Sequence, residues 1–208
     1  HFKTIFPCYH LYQHTNIVLL ATPSLQKVMA TFQTIGILTK PNAPNILQGV
    51  NHIRDWLITQ HKTVLIDSPQ GFPSPSATRI QIAREADLLI VLGGDGTMLS
   101  GARLVEQRGI PILGVNMGGL GFLTEINFDE LPTALEKVFA GEFQLDKRMM
   151  LKIQLQRGEQ ILCTYSGLND VVVSKGHLAR MIATKIWVNH AFMTNLRGDG
   201  LIVATPTG

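Results

Sequence analysis

The stretch DLLIVLGGDGTML, residues 87–99, constrains this chain more than any other. Leu88–Leu92 is a short, wholly apolar run, as required of a parallel strand covered by helices on both faces. Gly93, Gly94 and Gly96 follow with Asp95 among them, and Met98 to Gln107 then reads as an amphipathic helix. A strand, a glycine turn and a helix start, in that order, put bare main chain at the carboxyl edge of a sheet, where anions bind. Without Cβ atoms, the three glycines can take positive φ and let phosphate oxygens approach their N–H groups. The helix start adds about half a positive charge. Gly93, Gly94, Gly96 and Thr97 are therefore candidate phosphate contacts. No lysine of the Walker kind stands in this turn. A carboxylate there would repel phosphate unless it had its own task, either accepting a proton from an attacking hydroxyl or holding Mg²⁺ against the phosphates. Because a carboxylate is a weak base at neutral pH, its contribution is mostly orientation. In the blander alternative, Asp95 merely caps the next helix. The full Gly-Gly-Asp-Gly-Thr string behind a buried strand favours the phosphate site.

The flanking sequence supplies the rest of an α/β sheet. TIGILT (34–39), TVLI (63–66) and PILGVN (111–116) read as further buried strands. ILQGVNHIRDWLITQH (46–61) places Ile46, Leu47, Val50, Ile53 and Leu57 on one helical face. A short helix is expected near 78–86, after a loop rich in Pro, Ser and Gly at 67–76. DELPTALEKVFAG (129–141) carries acids in its first turn and a glycine at its end, which also reads as a helix. Alternating strands and helices call for a parallel sheet with right-handed crossovers. After Lys147 the period shortens to two: MLKIQLQRG, ILCTYSG, LNDVVVS, MIATKIWVN and GLIVAT predict half-buried antiparallel strands and a second domain. The expected fold class is α/β: a Rossmann-like domain over 31–146, then the start of an all-β, sandwich-type domain over 147–208.

Composition narrows the function classes. Of 208 residues 45% are hydrophobic and 16% charged, which suits packed domains and argues against disorder. A net charge of +3 is too small for a nucleic-acid groove and permits only a mild attraction for anionic substrates. Cys8 and Cys163 give neither a disulfide framework nor metal-ligand spacing, so a cytoplasmic protein is expected. No apolar run is long enough to span a bilayer, and no membrane partner is expected. The chain opens at His1, and no sustained period appears before Met29, so residues 1–30 are expected to be a non-native or disordered extension, with Met29 as the natural start. His10 and His14 share metal-ligand spacing but lack a third ligand, which makes chance the better reading.

GGDGT at 93–97 resembles the signature shared by NAD kinases, diacylglycerol and sphingosine kinases and, more loosely, phosphofructokinases. Alone it leaves the acceptor open. GVNMGGLGFLTEI (114–126), LNDVVV (168–173) and GDGLIVATPTG (198–208) resemble NAD kinase segments in family order, and the resemblance covers about residues 31–208. It implies phosphorylation of the 2′-hydroxyl of NAD's adenosine ribose by ATP, giving NADP, with a divalent ion such as Mg²⁺ serving the reaction. It implies that Asp95 is the proton acceptor and that Asp95, Gly96, Asn169, Asp170, Arg180, Arg197 and Asp199 contact NAD. Phe122 is a candidate for stacking on the ligand or for core packing, and Gly118, Gly119 and Gly121 for a second tight turn near the phosphates. NAD and ATP are the implied partners, in a homo-oligomer, bound in a cleft between the two domains.

Each assignment has a plainer alternative. Asn169 and Asp170 fit a turn before a strand, Asp199 fits a hairpin turn, and the arginines fit a solvated surface. The resemblance implies a continuation beyond ATPTG into Ser-Thr-Ala-Tyr and further strands, which this sequence does not contain. The chain as given is therefore expected to be truncated, to have little or no kinase activity, and to fold poorly beyond about Lys147. The rival functions are a lipid kinase sharing GGDGT and an inactive nucleotide-binding fragment.

Overall fold

The computed structural model describes residues 18–21, 32–40, 46–67, 77–118, 121–124, 126–176 and 180–208. These fall into two compact units, divided between Arg148 and Met149. The first contains strands β1 (Val18–Ala21), β2 (Thr34–Thr39), β3 (Thr63–Asp67), β4 (Leu88–Leu92), β5 (Ile112–Asn116), β6 (Ile126–Asn127) and β7 (Gln144–Lys147). Its helices are α1 (Ile46–Thr59), α2 (Arg79–Glu85), α3 (Asp95–Val105) and α4 (Leu131–Phe139), the last entered through a 3₁₀ turn at Phe128–Glu130.

The strands lie in the order β3-β2-β4-β5-β1-β7, with β6 also paired to β5. The links β3–β2, β2–β4, β4–β5 and β5–β6 are parallel. Every residue of β4 is buried, as its unbroken apolar run required. Leu88, Ile90 and Leu92 join one core cluster with Val50, Ile53 and Leu57 of α1 and Leu131, Leu135 and Val138 of α4. On the opposite face, Gly101 of α3 comes so close that a Cβ there would sit 2.9 Å from Val91 and 3.2 Å from Leu89. Helices thus cover both faces, the doubly wound arrangement expected of this pattern. The edge of β2 is fixed to β4 by Asp87, whose Oδ2 accepts the N–H groups of Gln33 (3.1 Å) and Thr34 (2.8 Å).

Local chemistry sets the helix ends. Thr78 caps α2 by accepting the Gln81 N–H at 3.2 Å. Asn127 and Glu130 form a capping box before α4. That helix is followed by Gly141 in the left-handed region, φ 81°.

Two differences from the sequence reading fall in this unit. Val18–Ala21, within the stretch expected to contribute no element, forms β1 and pairs in parallel with β7. Four apolar residues with no helix or further strand pattern beside them are too short a run to set a strand apart from chance. The short strands β6 and β7 were missed for the same want of length.

The second unit holds β8 (Leu151–Arg157), β9 (Gln160–Gly167), β10 (Asp170–Ser174), β11 (Ile182–Val188), β12 (Ala191–Gly198) and β13 (Gly200–Ala204). They form antiparallel pairs, β8–β9, β10–β13 and β11–β12. The first two-residue period lies on β8, which buries Leu151. β12 was not anticipated, because AFMTNLRG mixes apolar and polar residues without alternation. Large apolar side chains stand exposed on these strands, among them Leu155, Tyr165, Trp187, Phe192 and Ile202. No helix among the described residues is long and apolar enough to cross a membrane.

The packing of α2 over β2 depends on Gly36. A Cβ built there meets Ile82 Cγ2 at 2.7 Å and Ala86 Cβ at 3.2 Å. Because Ile82 is fully buried and cannot swing away, Gly36→Ala is expected to lower unfolding stability by about 1–3 kcal/mol through overpacking. This exceeds the gain from a stiffer unfolded chain, and urea denaturation measures the balance.

Candidate active site

In the first unit the chain runs from β2 outward to β3, then returns to place β4 on the other side of β2. This reversal makes the carboxyl ends of β2 and β4 a topological switch point, where open α/β sheets bind ligands. Thr39 pairs with Leu92 there, and the Lys40 N–H donates to the Leu92 carbonyl at 3.2 Å. Gly93 and Gly94 then lead straight into α3.

The glycines serve this turn differently from the sequence expectation. None of Gly93, Gly94 and Gly96 has positive φ, so left-handed backbone is not why they are glycine. Gly93 is needed for close approach: a Cβ there would lie 2.5 Å from Thr97 Oγ1, and its N–H ties β4 to β5 through the Val115 carbonyl at 3.0 Å. Gly94 is the N-cap, extended at φ −104° and ψ −168°. Its carbonyl accepts the N–H groups of Thr97 and Met98. Nothing lies within 4 Å of a Cβ built at Gly94 or Gly96, so both offer open main chain. The first-turn N–H groups of a helix have no intrahelical acceptors and point outward.

Asp95 is the first residue of α3, and it does not cap the helix. Its carboxylate reaches instead to a turn far along the sequence, where Oδ2 accepts the Phe122 N–H at 3.1 Å and Oδ1 the Leu123 N–H at 2.9 Å. Hydrogen bonds to a charged acceptor are about twice as strong as neutral ones. Two such bonds fix the plane of the carboxylate and leave lone pairs on both oxygens unused. Gly121 makes the approach possible, since a Cβ there would sit 2.9 Å from Asp95 Oδ1 and 2.5 Å from Thr124 Oγ1. Gly118, at φ 141°, donates its N–H to Asn116 Oδ1 at 3.1 Å. Gly119 lies outside the described residues, as do Cys8, His10 and His14. The Phe122 ring is 75% exposed, so core packing is not its role.

The other candidates lie in the second unit. Asp170 opens β10 and stands opposite Ala204 of β13, so the LNDVVV and GLIVATPTG segments are neighbours. Asn169 sits in the preceding turn, with its carbonyl accepting the Thr205 N–H at 2.7 Å. Arg197 lies on β12 opposite Ala183, and both it and Arg180 are exposed. Asp199 does not turn a hairpin. β12 pairs with β11 and β13 with β10, so Gly198-Asp199 is a corner where the chain changes sheets. Asp199 Oδ1 lies 2.8 Å from Lys175 Nζ, and the Asp199 carbonyl accepts the Lys175 N–H at 2.9 Å. Lys175 and Thr205 escaped the sequence reading, since a lysine after a strand and a threonine before a proline carry no motif.

Asp95, Gly93, Gly94, Gly96, Thr97 and Phe122 thus share one unit, and Asn169, Asp170, Arg180, Arg197 and Asp199 the other. Among the described residues no group of three His, Cys, Asp or Glu side chains could hold a metal ion.

A parallel sheet with an acid in a bare glycine turn at its switch point, followed in sequence by antiparallel strand pairs, defines an α/β protein with a β-rich second unit. A family model for the ATP-NAD kinase N-terminal domain matches residues 35–143, and that for the ATP-NAD kinase C-terminal domain matches residues 168–208. The chain belongs to the ATP-NAD kinase family. It is 42% identical over 180 residues to the NAD kinase of Geobacter sp. (strain M21), covering 84% of this chain and 62% of that protein. With the NAD kinase of Syntrophotalea carbinolica it shares 45% identity over 178 residues, again covering 84% and 62%. The chain therefore spans about 62% of the length of these relatives. The crystal structure of yeast NADH kinase complexed with NADH superposes with a TM-score of 0.73 at 20% identity, over 94% of this chain and 65% of that one, a likeness of fold.

If the carboxylate of Asp95 fastens the 121–124 turn, Asp95→Ala is expected to speed amide exchange at Phe122 and Leu123 by about tenfold or more. Each lost bond to a charged acceptor is worth about 1.5–3 kcal/mol. Exchange at Ile90 in β4 should not change; hydrogen-exchange NMR reads both.

Proposed function

We propose that this chain carries the proton-accepting aspartate and dinucleotide contacts of a kinase that phosphorylates the 2′-hydroxyl of NAD's adenosine ribose with magnesium ATP, giving NADP. The observation that carries this reading is the Asp95 carboxylate, held by the Phe122 and Leu123 amides beside the open main chain of Gly94 and Gly96. The names of its relatives support the acceptor, and the glycine turn supports a phosphoryl donor.

In this reading the ribose hydroxyl donates to a lone pair that the two amides leave free on Asp95. As its oxygen bonds to the γ-phosphorus and the bond to the β-phosphate oxygen breaks, the proton passes to Asp95 and ADP leaves. The main-chain N–H groups at the start of α3, with Thr97 beside them, bear on phosphate oxygens where charge gathers. Bound magnesium supplies further neutralisation of the phosphates. Because the amides fix its plane, the carboxylate offers an acceptor of set direction, which supports discrimination between neighbouring hydroxyls. The exposed Phe122 ring offers a flat apolar face to a nucleobase. Asn169, Asp170, Arg180, Arg197 and Asp199 are proposed contacts of the dinucleotide, in a cytoplasmic homo-oligomer.

The test uses the chain both alone and joined to the further length its relatives carry. Asp95→Asn keeps the shape, gives up one of the two amide bonds and cannot accept a proton. It is expected to reduce turnover by about 10²–10⁴-fold, while NAD affinity, read by titration calorimetry, falls by less than about tenfold. Unchanged turnover in the variant, or transfer of phosphate to a lipid alcohol in place of NAD, would contradict the proposal.

A further inference from the structure

The turn before β10 contains a buried polar atom, Asn169 Oδ1, with no hydrogen-bond partner among the described residues. A shielded acceptor without a donor is unfavourable, so a fold that keeps one must hold it in place by other means. Here the means is visible. Thr205, only 4% exposed, donates its N–H to the Asn169 carbonyl at 2.7 Å and its hydroxyl to the Leu168 carbonyl at 2.6 Å. The same hydroxyl accepts the Thr207 N–H at 3.1 Å, and the Thr205 carbonyl accepts the Gly208 N–H at 3.2 Å. The hydroxyl therefore works as donor and acceptor at once, a combination that valine, of nearly the same shape, cannot provide. Gly208 completes the clasp: a Cβ there would lie 2.6 Å from the Asn169 carbonyl oxygen.

We infer that Thr205 is a positioning residue for dinucleotide binding. Its bonds lock the Leu168–Asp170 turn so that Asn169 Oδ1, unpaired among the described residues, meets a hydroxyl or amide donor of NAD. Thr205 is itself buried and acts only through Asn169. The inference rests on the reading above that Asn169 contacts NAD.

The experiment measures NAD affinity of the whole chain by titration calorimetry, beside circular dichroism and thermal unfolding. Thr205→Val, which keeps the shape and loses the hydroxyl, is expected to weaken NAD binding on the order of tenfold or more. Thr205→Ser, which keeps the hydroxyl and gives up a methyl, should restore affinity to within about threefold of wild type. Gly208→Ala retains every hydrogen-bonding group, displaces the Asn169 main chain and should also weaken binding, so the test survives if the valine variant does not fold. Wild-type affinity in folded Thr205→Val or in Gly208→Ala, while Asn169→Ala binds weakly, would overturn the positioning role alone. Wild-type affinity in Asn169→Ala, or no NAD binding by the unaltered chain, would remove the reading beneath it.

Discussion

The first unit turns on a single carboxylate bound by two main-chain amides. Asp95 begins a helix at the sheet's switch point, where the dipole of α3 already favours negative charge. Its oxygens are engaged by Phe122 and Leu123, so the acid belongs to two glycine turns at once. Each turn is shaped to allow this. Gly93 lets Thr97 fold back over β4, and Gly121 lets Asp95 come within bonding distance of the 121–124 main chain. Remove the carboxylate and the second turn loses its attachment to the first. The same bonds that hold the turn also aim the remaining lone pairs, so the structure and the proposed chemistry share one interaction.

The second unit applies similar logic with neutral groups. Two sequence segments separated by two strands are brought side by side by the β10–β13 pairing. The Thr205 hydroxyl and N–H then fasten the end of one to the start of the other. Lys175 and Asp199 close the far end of the same strand pair, at the corner between sheets. Asp199 is largely exposed, so this ion pair contributes little to stability. It does fix where the corner falls.

Much of this was legible from the residues. Largely apolar runs gave β2, β3, β4 and β5 nearly to the residue; β4 is buried throughout, whereas β3 at the sheet's edge is buried only at Leu65 and Ile66. The face formed by Val50, Ile53 and Leu57 gave α1. Strands too short or too mixed for a period, β1, β6, β7 and β12, were not legible. The acid in its glycine turn between strand and helix was readable from the residues, whereas its partners were not: main-chain amides carry no side-chain signature, and Phe122 and Leu123 lie far along the chain. The positive φ expected of Gly93, Gly94 and Gly96 was wrong, since closeness to Thr97 and openness toward solvent explain them. The hairpin alternative for Asp199 failed because strand pairing is a long-range property, decided by β10 and not by the flanking glycines.

The most direct measurement is phosphorus NMR of the product formed from NAD and magnesium ATP. It should use the chain alone and the chain carried to the length of its relatives. A new phosphomonoester on the 2′ carbon of the adenosine ribose, absent when Asp95 is replaced, is the predicted result. Phosphate on the 3′ carbon, or no phosphate on NAD with the acid intact, would contradict the account.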